Sequence, residues 1–360
     1  MDPRATYRID LSYEENYLHG PFFKEDFPHR SIQEKKDFLG FKVNSLLGIP
    51  AGPLLNSKWV TTYAKLGFDL LVYKTVRTCF VPSHSAPNCL ILDRNTSIQE
   101  KEIGGRLTIS RDQAQNRVEE ISITNSFGMP SRDPKEWHPD VAQAKAGLSP
   151  GQLLIVSVVG TPGHGSDLAE DYARCARMAV DAGADVVEIN LSCPNVISGE
   201  GSLFSDPAAS SRVSSIVKKR IGTTPLVIKI GYIPDPDLLA RVIAANAICV
   251  EGIASVNTLP FEVVKHDGTP ALPGEGRLRS GICGAAIQAC AMAQAARLVD
   301  IRHNGPHNFA VIGVGGAMTS DDIRRYFALG VDAVMTATGA MWDPYLAYRF
   351  WKEDAERTTP

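Results

Sequence analysis

The chain of 360 residues is predicted to be an α/β protein built as a closed (β/α)8 (TIM) barrel. Three observations predict this fold class. Short apolar segments with the length of buried strands occur eight times, a Gly-x-Asp signal joins helix to strand three times, and segments with helical spacing separate most of the strands. Eight strands alternating with helices favour a closed barrel over an open, doubly wound sheet, which remains the alternative.

The predicted strands are short and mostly β-branched, as expected of strands that are buried on both faces. Helical connections between such strands make the sheet parallel. The strands begin at Leu46 (LLGIPAG), Leu70 (LLVYKT), Leu153 (LLIVSVVG), Val186 (VVEINLS), Pro225 (PLVIKI), Gly252 (GIASVN), Phe309 (FAVIGVGG) and Ala333 (AVMTAT).

The connections between these strands carry helix signals. In the segment 167–182, apolar residues recur at steps of four, three and one, which traces one face of a helix. Thr319 and Asp322 resemble a capping box that opens the helix before the last strand. Elsewhere a helical stretch ends in glycine, which suits the left-handed position just past a helix, and x-Asp and a strand follow. This signal occurs at Gly67, Gly183 and Gly330.

Two parts of the chain depart from the regular alternation. More than 70 residues separate Thr75 from Leu153, far more than a helix and its loops require. We therefore expect an insertion over about 76–150 that crosses the top of the barrel and contains small strands of its own. Residues 1–38 form an N-terminal extension outside the barrel, which occupies residues 39–356. The extension is expected to pack on the barrel or on another subunit.

Composition and charge are those of an ordinary globular protein. The net charge is −3, so neither a nucleic acid nor a membrane surface is expected as a partner. Seven cysteines without a Cys-x-x-Cys pair disfavour a zinc ribbon and an iron–sulfur cluster. Several cysteines lie in apolar runs, which indicates reduced thiols. The N-terminus lacks the apolar segment of a signal peptide, and no run is long enough to span a membrane. We expect a cytoplasmic protein without a metal ion.

In a barrel of this kind, the residues that perform the chemistry gather at the carboxyl ends of the strands. Here these ends carry lysine, asparagine, cysteine and small residues. Glu188 is the one carboxylate near them, which disfavours metal-dependent hydrolysis and glycoside cleavage. In chain order the ends contain Ala51-Gly52, Lys74-Thr75, Gly160, Asn190 through Asn195, Lys229, Asn257-Thr258, Gly315-Gly316 and Ala337-Thr338-Gly339.

Glycine-rich turns after the last two strands predict a phosphate site. Gly315-Gly316 and Ala337-Thr338-Gly339 follow strands seven and eight, where barrels commonly bind phosphate through backbone N–H groups. Gly281 and Gly284 precede the next helix and are expected to add donors at its N-terminus. A single glycine is better explained as a turn, but two adjacent strand ends together favour phosphate.

Two lysines at strand ends, Lys74 and Lys229, indicate a bound ligand or a buried ion pair, because a lysine is almost never buried without a partner. The ion pair would use Glu188 or another acid. The ligand would be an electron-rich cofactor ring or a substrate carboxylate. Several asparagines supply both donors and acceptors and suit a planar, amide-rich ring. They are Asn125, Asn190, Asn195 and Asn257.

Cys193 is the candidate base. It lies beside Pro194 in a loop directly after the fourth predicted strand. Most cysteines are inert small residues, but a position at the barrel mouth near lysines fits a thiol that acts as a base.

Several segments together resemble the cytosolic class 1 dihydroorotate dehydrogenases. Residues 190–196 match the family's NLSCPNV signature, and residues 125–130 (NSFGMP) resemble its NSMGLPN segment. The resemblance covers about residues 40–350. Further matches follow in the same order at Ala51-Gly52, Lys74-Thr75, Lys229, Ser255 through Thr258, Ser280 through Gly284 and Gly313 through Gly316.

The resemblance implies an FMN-dependent oxidoreductase, a homodimer, a small-molecule substrate and a soluble electron acceptor. It implies oxidation of dihydroorotate to orotate, with Cys193 as the base, hydride transfer to the flavin, and Lys74 near both ligands. The implied FMN contacts are Ala51, Gly52, Lys74, Thr75, Asn190, Lys229, Gly281, Gly284, Gly315, Gly316, Ala337 and Thr338. The implied substrate contacts are Asn125, Phe127, Gly128, Met129, Asn190, Asn195, Asn257 and Thr258.

The chain departs from the family pattern near the expected substrate. Phe127, Met129 and Ser131 stand where the family has Met, Leu and Asn, and the loop 196–201 differs from the family's VPGKP-like run. The segment 76–120 is longer than in compact members, and residues 1–38 are extra. These departures keep open a second hypothesis, in which the chain acts on another dihydropyrimidine or unsaturated ring.

Two further hypotheses are less favoured, the first because of the order of the motifs and the second because the cysteine is retained between asparagines. One is a non-redox barrel lyase that forms a Schiff base on Lys74 or Lys229. The other is a flavin-binding protein without turnover. The electron acceptor stays open among fumarate, oxygen, a quinone and NAD.

Overall fold

Eight parallel strands close into a barrel in the computed structural model, which describes residues 5–30, 35–113, 117–163, 167–192 and 203–358. Each of the eight predicted strands is one strand of this barrel, so the predicted fold class is confirmed. The strands of the protein are β1 (Lys36–Phe38), β2 (Phe41–Val43), β3 (Leu47–Ile49), β4 (Leu70–Val76), β5 (Cys89–Ile91), β6 (Arg106–Thr108), β7 (Ser122–Asn125), β8 (Leu153–Val158), β9 (Val186–Asn190), β10 (Leu226–Ile230), β11 (Gly252–Ser255), β12 (Leu259–Val264), β13 (Arg279–Gly284), β14 (Ala310–Val314) and β15 (Ala333–Met335).

The barrel follows the chain around the ring in the order β3-β4-β8-β9-β10-β11-β14-β15. Helices α2, α4, α5, α6, α7 and α8 lie between successive barrel strands. None of the described helices is long and apolar enough to cross a membrane. The helices are α1 (Tyr13–His19), α2 (Ser57–Lys65), α3 (Pro134–Ala146), α4 (Leu168–Asp181), α5 (Pro207–Ile221), α6 (Pro236–Asn246), α7 (Gln288–Asn304), α8 (Ser320–Ala328), α9 (Thr338–Trp342) and α10 (Leu346–Thr358).

The helix–Gly–x–Asp–strand signal forms the predicted turns. The aspartate also fixes the neighbouring strand: the carboxylate of Asp185 accepts the N–H of Leu154 on β8 at 2.8 Å and pairs with Lys145 at 2.7 Å. Asp332 accepts a backbone N–H of β14 in the same way. The predicted capping box at α8 is present as well. The three glycines adopt left-handed backbone, with φ of 98° at Gly67, 105° at Gly183 and 90° at Gly330.

A short hairpin of β1 and β2 closes the barrel at the amino ends of its strands. Phe38 and Val43 are buried in the apolar interior of the barrel, against the first residues of strands such as Leu70 and Leu153. Phe38, predicted as part of the extension, therefore contributes its side chain to the barrel interior, whereas Lys36 and Asp37 are exposed. A strand of three residues with no clear alternation of polar and apolar side chains gives no sequence signal that it closes a barrel.

Replacing Phe38 with alanine is expected to destabilise the protein by about 3–5 kcal/mol, because the large side chain is removed from a close-packed interior that cannot collapse around the void. The measurement is the unfolding midpoint in urea. Phe27→Ala is the matched control, since Phe27 is 45% exposed. Equal midpoints for the two variants would contradict the role of the hairpin as a plug.

The long segment after β4 forms part of a second sheet above the barrel. Its strands β5, β6 and β7 combine with β12 and β13, which follow barrel strand β11, in the order β5-β7-β13-β12-β6. The small strands were predicted, but their pairing with a second excursion 150 residues later was not. The last part of the segment is helix α3, which packs on α2 and on barrel strand β8.

The described part of the N-terminal extension packs on its own barrel. The N–H of Thr6 donates to the carbonyl of Met341 at 2.9 Å, and the Thr6 and Tyr63 hydroxyls are 2.6 Å apart. Arg30 pairs with the buried carboxylate of Asp69 at 2.7 Å. The Arg30 contact lies at the amino ends of the strands, whereas the Thr6 contacts and α1 lie at the opposite end, where Met341 and Tyr13 line the cavity described next.

Candidate active site

A cavity of about 1230 Å³, including its open mouth, lies at the carboxyl ends of the barrel strands. The strand ends form one wall. The five-stranded sheet forms another, through Cys89 on β5, Ile123 and Asn125 on β7 and Cys283 on β13. This is the position at which barrels of this class collect functional side chains.

Most of the predicted site residues share this single cavity, although their separation in the chain exceeds 280 residues. Gly128 and Gly281 are not among its lining residues. Cys193 and Asn195 lie outside the described residues, as does the loop 196–201. The predicted residues that line the cavity are Ala51, Gly52, Lys74, Thr75, Asn125, Phe127, Met129, Asn190, Lys229, Asn257, Thr258, Gly284, Gly315, Gly316, Ala337 and Thr338.

The helix N-terminus expected at Gly281 and Gly284 forms at Gly284, whereas Gly281 lies in a strand, so the prediction was wrong for Gly281. Gly281 lies within β13, paired with Asn125 on one side and Pro260 on the other. A Cβ atom on Gly281 would collide with the side chain of Thr258. Gly284 ends the strand and precedes a short 3₁₀ turn, which leads into α7. The alternation of small and apolar residues up to Gly284 therefore belongs to the sheet.

The floor of the cavity carries two buried lysines. Lys74 is 9% exposed and Lys229 is 4% exposed. The Nζ of Lys229 donates to the carbonyl of Ala51 at 3.3 Å. Both ammonium groups thus lie where a ligand in the cavity would meet them, since both residues line it.

Glu188 lies one layer deeper in the barrel, two residues before Asn190 on β9. Its side chain is fully buried, and its Oε1 atom has no hydrogen-bond partner in the described structure. Burial raises the pKa of this carboxyl, whereas the charge of Lys229 and a hydrogen bond from Ser157 act to lower it. The ion-pair interpretation of Lys229 therefore has a physical basis, and it does not exclude a ligand, because Lys229 also lines the cavity.

Asparagine side chains hold the end of β9 in place. Asn190 Oδ1 accepts the N–H of Ser192 at 3.1 Å, and Asn257 Nδ2 donates to the carbonyl of Ser192. The N–H of Asn257 itself donates to Ile230 at 3.0 Å. Two cavity residues thus fix the backbone of the residue that immediately precedes Cys193 in the chain.

The turn after β14 brings backbone close to the cavity. Gly315 and Gly316 have φ of 125° and 66°. A Cβ on Gly315 would lie 2.6 Å from Ala291 Cβ, and one on Gly316 would lie 2.5 Å from Gln288 Cβ. Their carbonyls accept hydrogen bonds from Tyr326 and Gln288. Only glycine fits between the start of α7 and the cavity, which leaves a cradle of bare backbone.

Several lining residues were not predicted from the sequence. Tyr7 and Tyr13 reach the cavity from the N-terminal extension, and both rings contact Phe127, with centroids 6.1 and 6.0 Å apart. Cys89 and Cys283 also line it, and burial raises the pKa of both thiols. Tyrosines in a segment outside the strand series, and cysteines in apolar strands, carry no local signal that assigns them to a site.

Comparison with known proteins gives consistent results. The sequence model of the family described as "Dihydroorotate dehydrogenase" matches residues 115–353. The dihydroorotate dehydrogenase of Dictyostelium discoideum is 37% identical in an alignment 359 residues long, which covers 96% of each chain. A putative dihydroorotate dehydrogenase A (fumarate) of Solibacter usitatus is 30% identical over 239 residues, 65% of this chain and 72% of that protein. The catalytic subunit of dihydroorotate dehydrogenase B (NAD(+)) of Alkaliphilus metalliredigens is 31% identical over 196 residues, 53% of this chain and 58% of that protein.

Proposed function

The chain belongs to the dihydroorotate dehydrogenase family, and on that premise we propose that it oxidises dihydroorotate to orotate with FMN as its redox cofactor. The observation that carries the proposal is the cavity that collects lysines, asparagines and a glycine cradle from five barrel strands, and a further asparagine from the five-stranded sheet. These residue types correspond to the three needs of the reaction: a cofactor ring, an amide-rich substrate ring and a phosphate.

The cavity fits FMN in its chemistry. The cradle at Gly315 and Gly316 suits a phosphate, because side chains are excluded there. Barrels usually bind phosphate after their seventh and eighth strands, which are β14 and β15 here. Thr338 and Ala337 lie at the adjacent strand end. Lys229 would neutralise negative charge on the cofactor ring. When bound, FMN would supply the hydride acceptor, and the chain supplies binding and orientation.

The asparagines would orient the substrate ring. Asn125 lines the cavity from the five-stranded sheet, and Asn190 and Asn257 line it from the strand ends; all three offer both donors and acceptors to ring amides. Lys74 lines the same cavity and would contact substrate and cofactor alike. The positioned ring is what allows proton and hydride removal to occur at neighbouring carbons.

The loop Ser126–Met129 offers a place for the substrate's carboxylate. Gly128 and Met129 have left-handed backbone, with φ of 77° and 48°. The N–H groups of Phe127, Gly128 and Met129 donate no hydrogen bond within the ranges that the structure describes. Consecutive N–H groups in such a turn form a concave site for an anion. This favours a substrate with a carboxylate over the alternative of an uncharged dihydropyrimidine.

Cys193 is the proposed base. Its assignment comes from the NLSCPNV segment, and the two asparagines that hold Ser192 support it by fixing the preceding backbone. A thiol with an ordinary pKa of ~8.5 is a suitable base near neutral pH when nearby cations favour the thiolate, a role that Lys74 and Lys229 would fill.

The electron acceptor and the assembly are further parts of the proposal. The names of two relatives specify fumarate and NAD(+) respectively, so relatives differ in acceptor. We propose a soluble acceptor, a homodimer and a cytoplasmic location, in line with the class 1 resemblance. Reoxidation of the reduced protein by fumarate, NAD(+), oxygen or a soluble quinone, measured by stopped-flow absorbance, would rank the acceptors.

Anaerobic addition of L-dihydroorotate to the purified protein tests the main proposal. The flavin absorbance is expected to bleach within seconds, because the substrate reduces the bound cofactor. D-dihydroorotate is the control, since a fixed base and a fixed flavin face remove hydrogens from one enantiomer only. A yellow protein that keeps its colour would reject dihydroorotate and favour another ring substrate. A colourless protein that forms a borohydride-stable adduct on a lysine would favour the Schiff-base lyase.

A further inference from the structure

The guanidinium group of Arg277 is buried and contacts the loop Ser126–Met129. It is 3% exposed, and each of its five N–H groups has an acceptor. Nη1 donates to the carbonyls of Ser85 at 2.8 Å and Pro273 at 2.6 Å. Nη2 donates to the carbonyls of Pro87 at 3.0 Å and Ser126 at 2.8 Å, and Nε donates to the Ser126 hydroxyl at 3.3 Å. Arg277 therefore joins three loops at the edge of the cavity.

None of these five acceptors is charged. Among the described residues, no carboxylate lies within 4.0 Å of the Arg277 guanidinium. Burial lowers the pKa of Arg277, but arginine stays protonated in proteins. Burial and the charge of Arg277 also lower the pKa of the neighbouring His84. The lowered pKa favours the uncharged imidazole, so His84 supplies no charge that compensates Arg277. A buried charge without an opposite charge is costly, which leaves the surroundings of Ser126 electropositive.

The other guanidinium on this loop has a different environment. Arg77 donates to the carbonyl of Met129 at 3.2 Å and to the hydroxyl of Thr161 at 3.0 Å. The N–H of Thr161 donates in turn to the carboxylate of Asp171 at 2.8 Å. Arg77 thus has an acid one residue away, whereas Arg277 has only dipoles around it. The two arginines hold opposite ends of the same loop, and neither has an ion pair among the described residues, but only Arg77 is linked to a carboxylate through an intervening residue.

We propose that Arg277 is a positioning residue that selects an anionic substrate, by holding Ser126 and by supplying the positive charge that the substrate's carboxylate completes. This inference rests on the proposed function, since it concerns the carboxylate of dihydroorotate. The N–H groups of residues 127–129 follow directly on the carbonyl that Arg277 binds. A ligand anion at these N–H groups would experience the charge of Arg277 through protein and not through water, where the interaction is strongest.

The test compares two ligands that share a ring and differ in the carboxylate. Dissociation constants for orotate and for uracil are measured on the flavin-loaded protein from the change in flavin absorbance. Arg277→Gln is expected to raise the Kd of orotate about 30-fold and that of uracil less than about threefold. Arg277→Lys keeps the charge and loses the planar fork, so the orotate constant should rise only about fivefold. Arg77→Gln is the matched control and should weaken both ligands to a similar degree.

Selective loss of orotate supports the inference. An equal loss of both ligands in Arg277→Gln would reduce Arg277 to a packing role, and unchanged constants would remove it from the site altogether. Where Arg277→Gln does not fold, Arg277→Lys is used instead. If its ratio of the orotate and uracil dissociation constants equals that of the native protein, the inference is overturned. A native protein that binds neither ligand would instead refute the proposed function, an outcome separate from a change in the ratio.

Discussion

Cys193→Ala is expected to slow flavin reduction by dihydroorotate by a factor of about 10²–10⁴, because a positioned general base contributes on that scale. Orotate binding should persist, since the asparagines and the loop Ser126–Met129 remain. Single-turnover stopped-flow reduction is the measurement, because it separates the chemical step from reoxidation.

The pH dependence of the serine variant provides a second test. Cys193→Ser should retain some activity that rises with pH, since an alcohol has a far higher pKa than a thiol and forms the needed base only at high pH. Cys249→Ala is the matched control: Cys249 is a free thiol outside the cavity, and its removal should leave the rate unchanged. A full rate in Cys193→Ala would assign proton removal to another group.

Lys229→Met is expected to cost about 3–5 kcal/mol of stability, because it leaves the carboxylate of Glu188 buried and without its compensating cation. Flavin retention should fall as well, since Lys229 lines the cavity in which we propose that FMN binds. The measurements are urea unfolding with saturating FMN and the flavin content after gel filtration.

The loss should depend on pH in a definite direction. The pKa of Glu188 is already raised in the folded protein, and removal of Lys229 raises it further. The folded state then binds a proton that the unfolded state releases near its ordinary pKa. Stability is retained below that ordinary pKa and falls as pH rises through the folded value. The deficit of Lys229→Met relative to the native protein should therefore be small in weak acid and grow towards neutral pH.

Glu188→Gln provides the matched control through a double-mutant cycle. Glutamine carries no charge, so Lys229→Met should cost much less in the Glu188→Gln background, and its pH dependence should disappear. Additive costs for the two substitutions, with the same slope against pH, would show that the two groups are not coupled. Lys229 would then act on the ligand alone.

Much of the barrel and its rim is determined by local sequence. β-branched runs with the length of strands, glycine after helices and helical spacing between them are read over windows of ten to twenty residues. Because parallel strands in a closed barrel place their carboxyl ends at one rim, naming the last residues of each strand names the candidate site. Lys74, Asn190, Lys229 and Asn257 were identified in this way, and all of them line the cavity.

Other features were decided only by the tertiary structure. The five-stranded sheet pairs β7 with β13, whose residues are about 160 positions apart in the chain, and no local pattern indicates which edges will meet. Gly281 was misassigned for this reason. Tyr7 and Tyr13 reach the cavity only because the N-terminal segment folds back over the barrel.

The charged residues show most clearly which features the sequence determines and which only the tertiary structure decides. The sequence by itself placed Glu188 and Lys229 near the ends of consecutive predicted strands, because both lie in short apolar runs, and so indicated an ion pair or a bound ligand. It could not determine that Arg277 lacks an acid while Arg77 has one nearby. Electrostatic interactions depend on distance in space and on burial, and these follow from how loops from remote parts of the chain pack together.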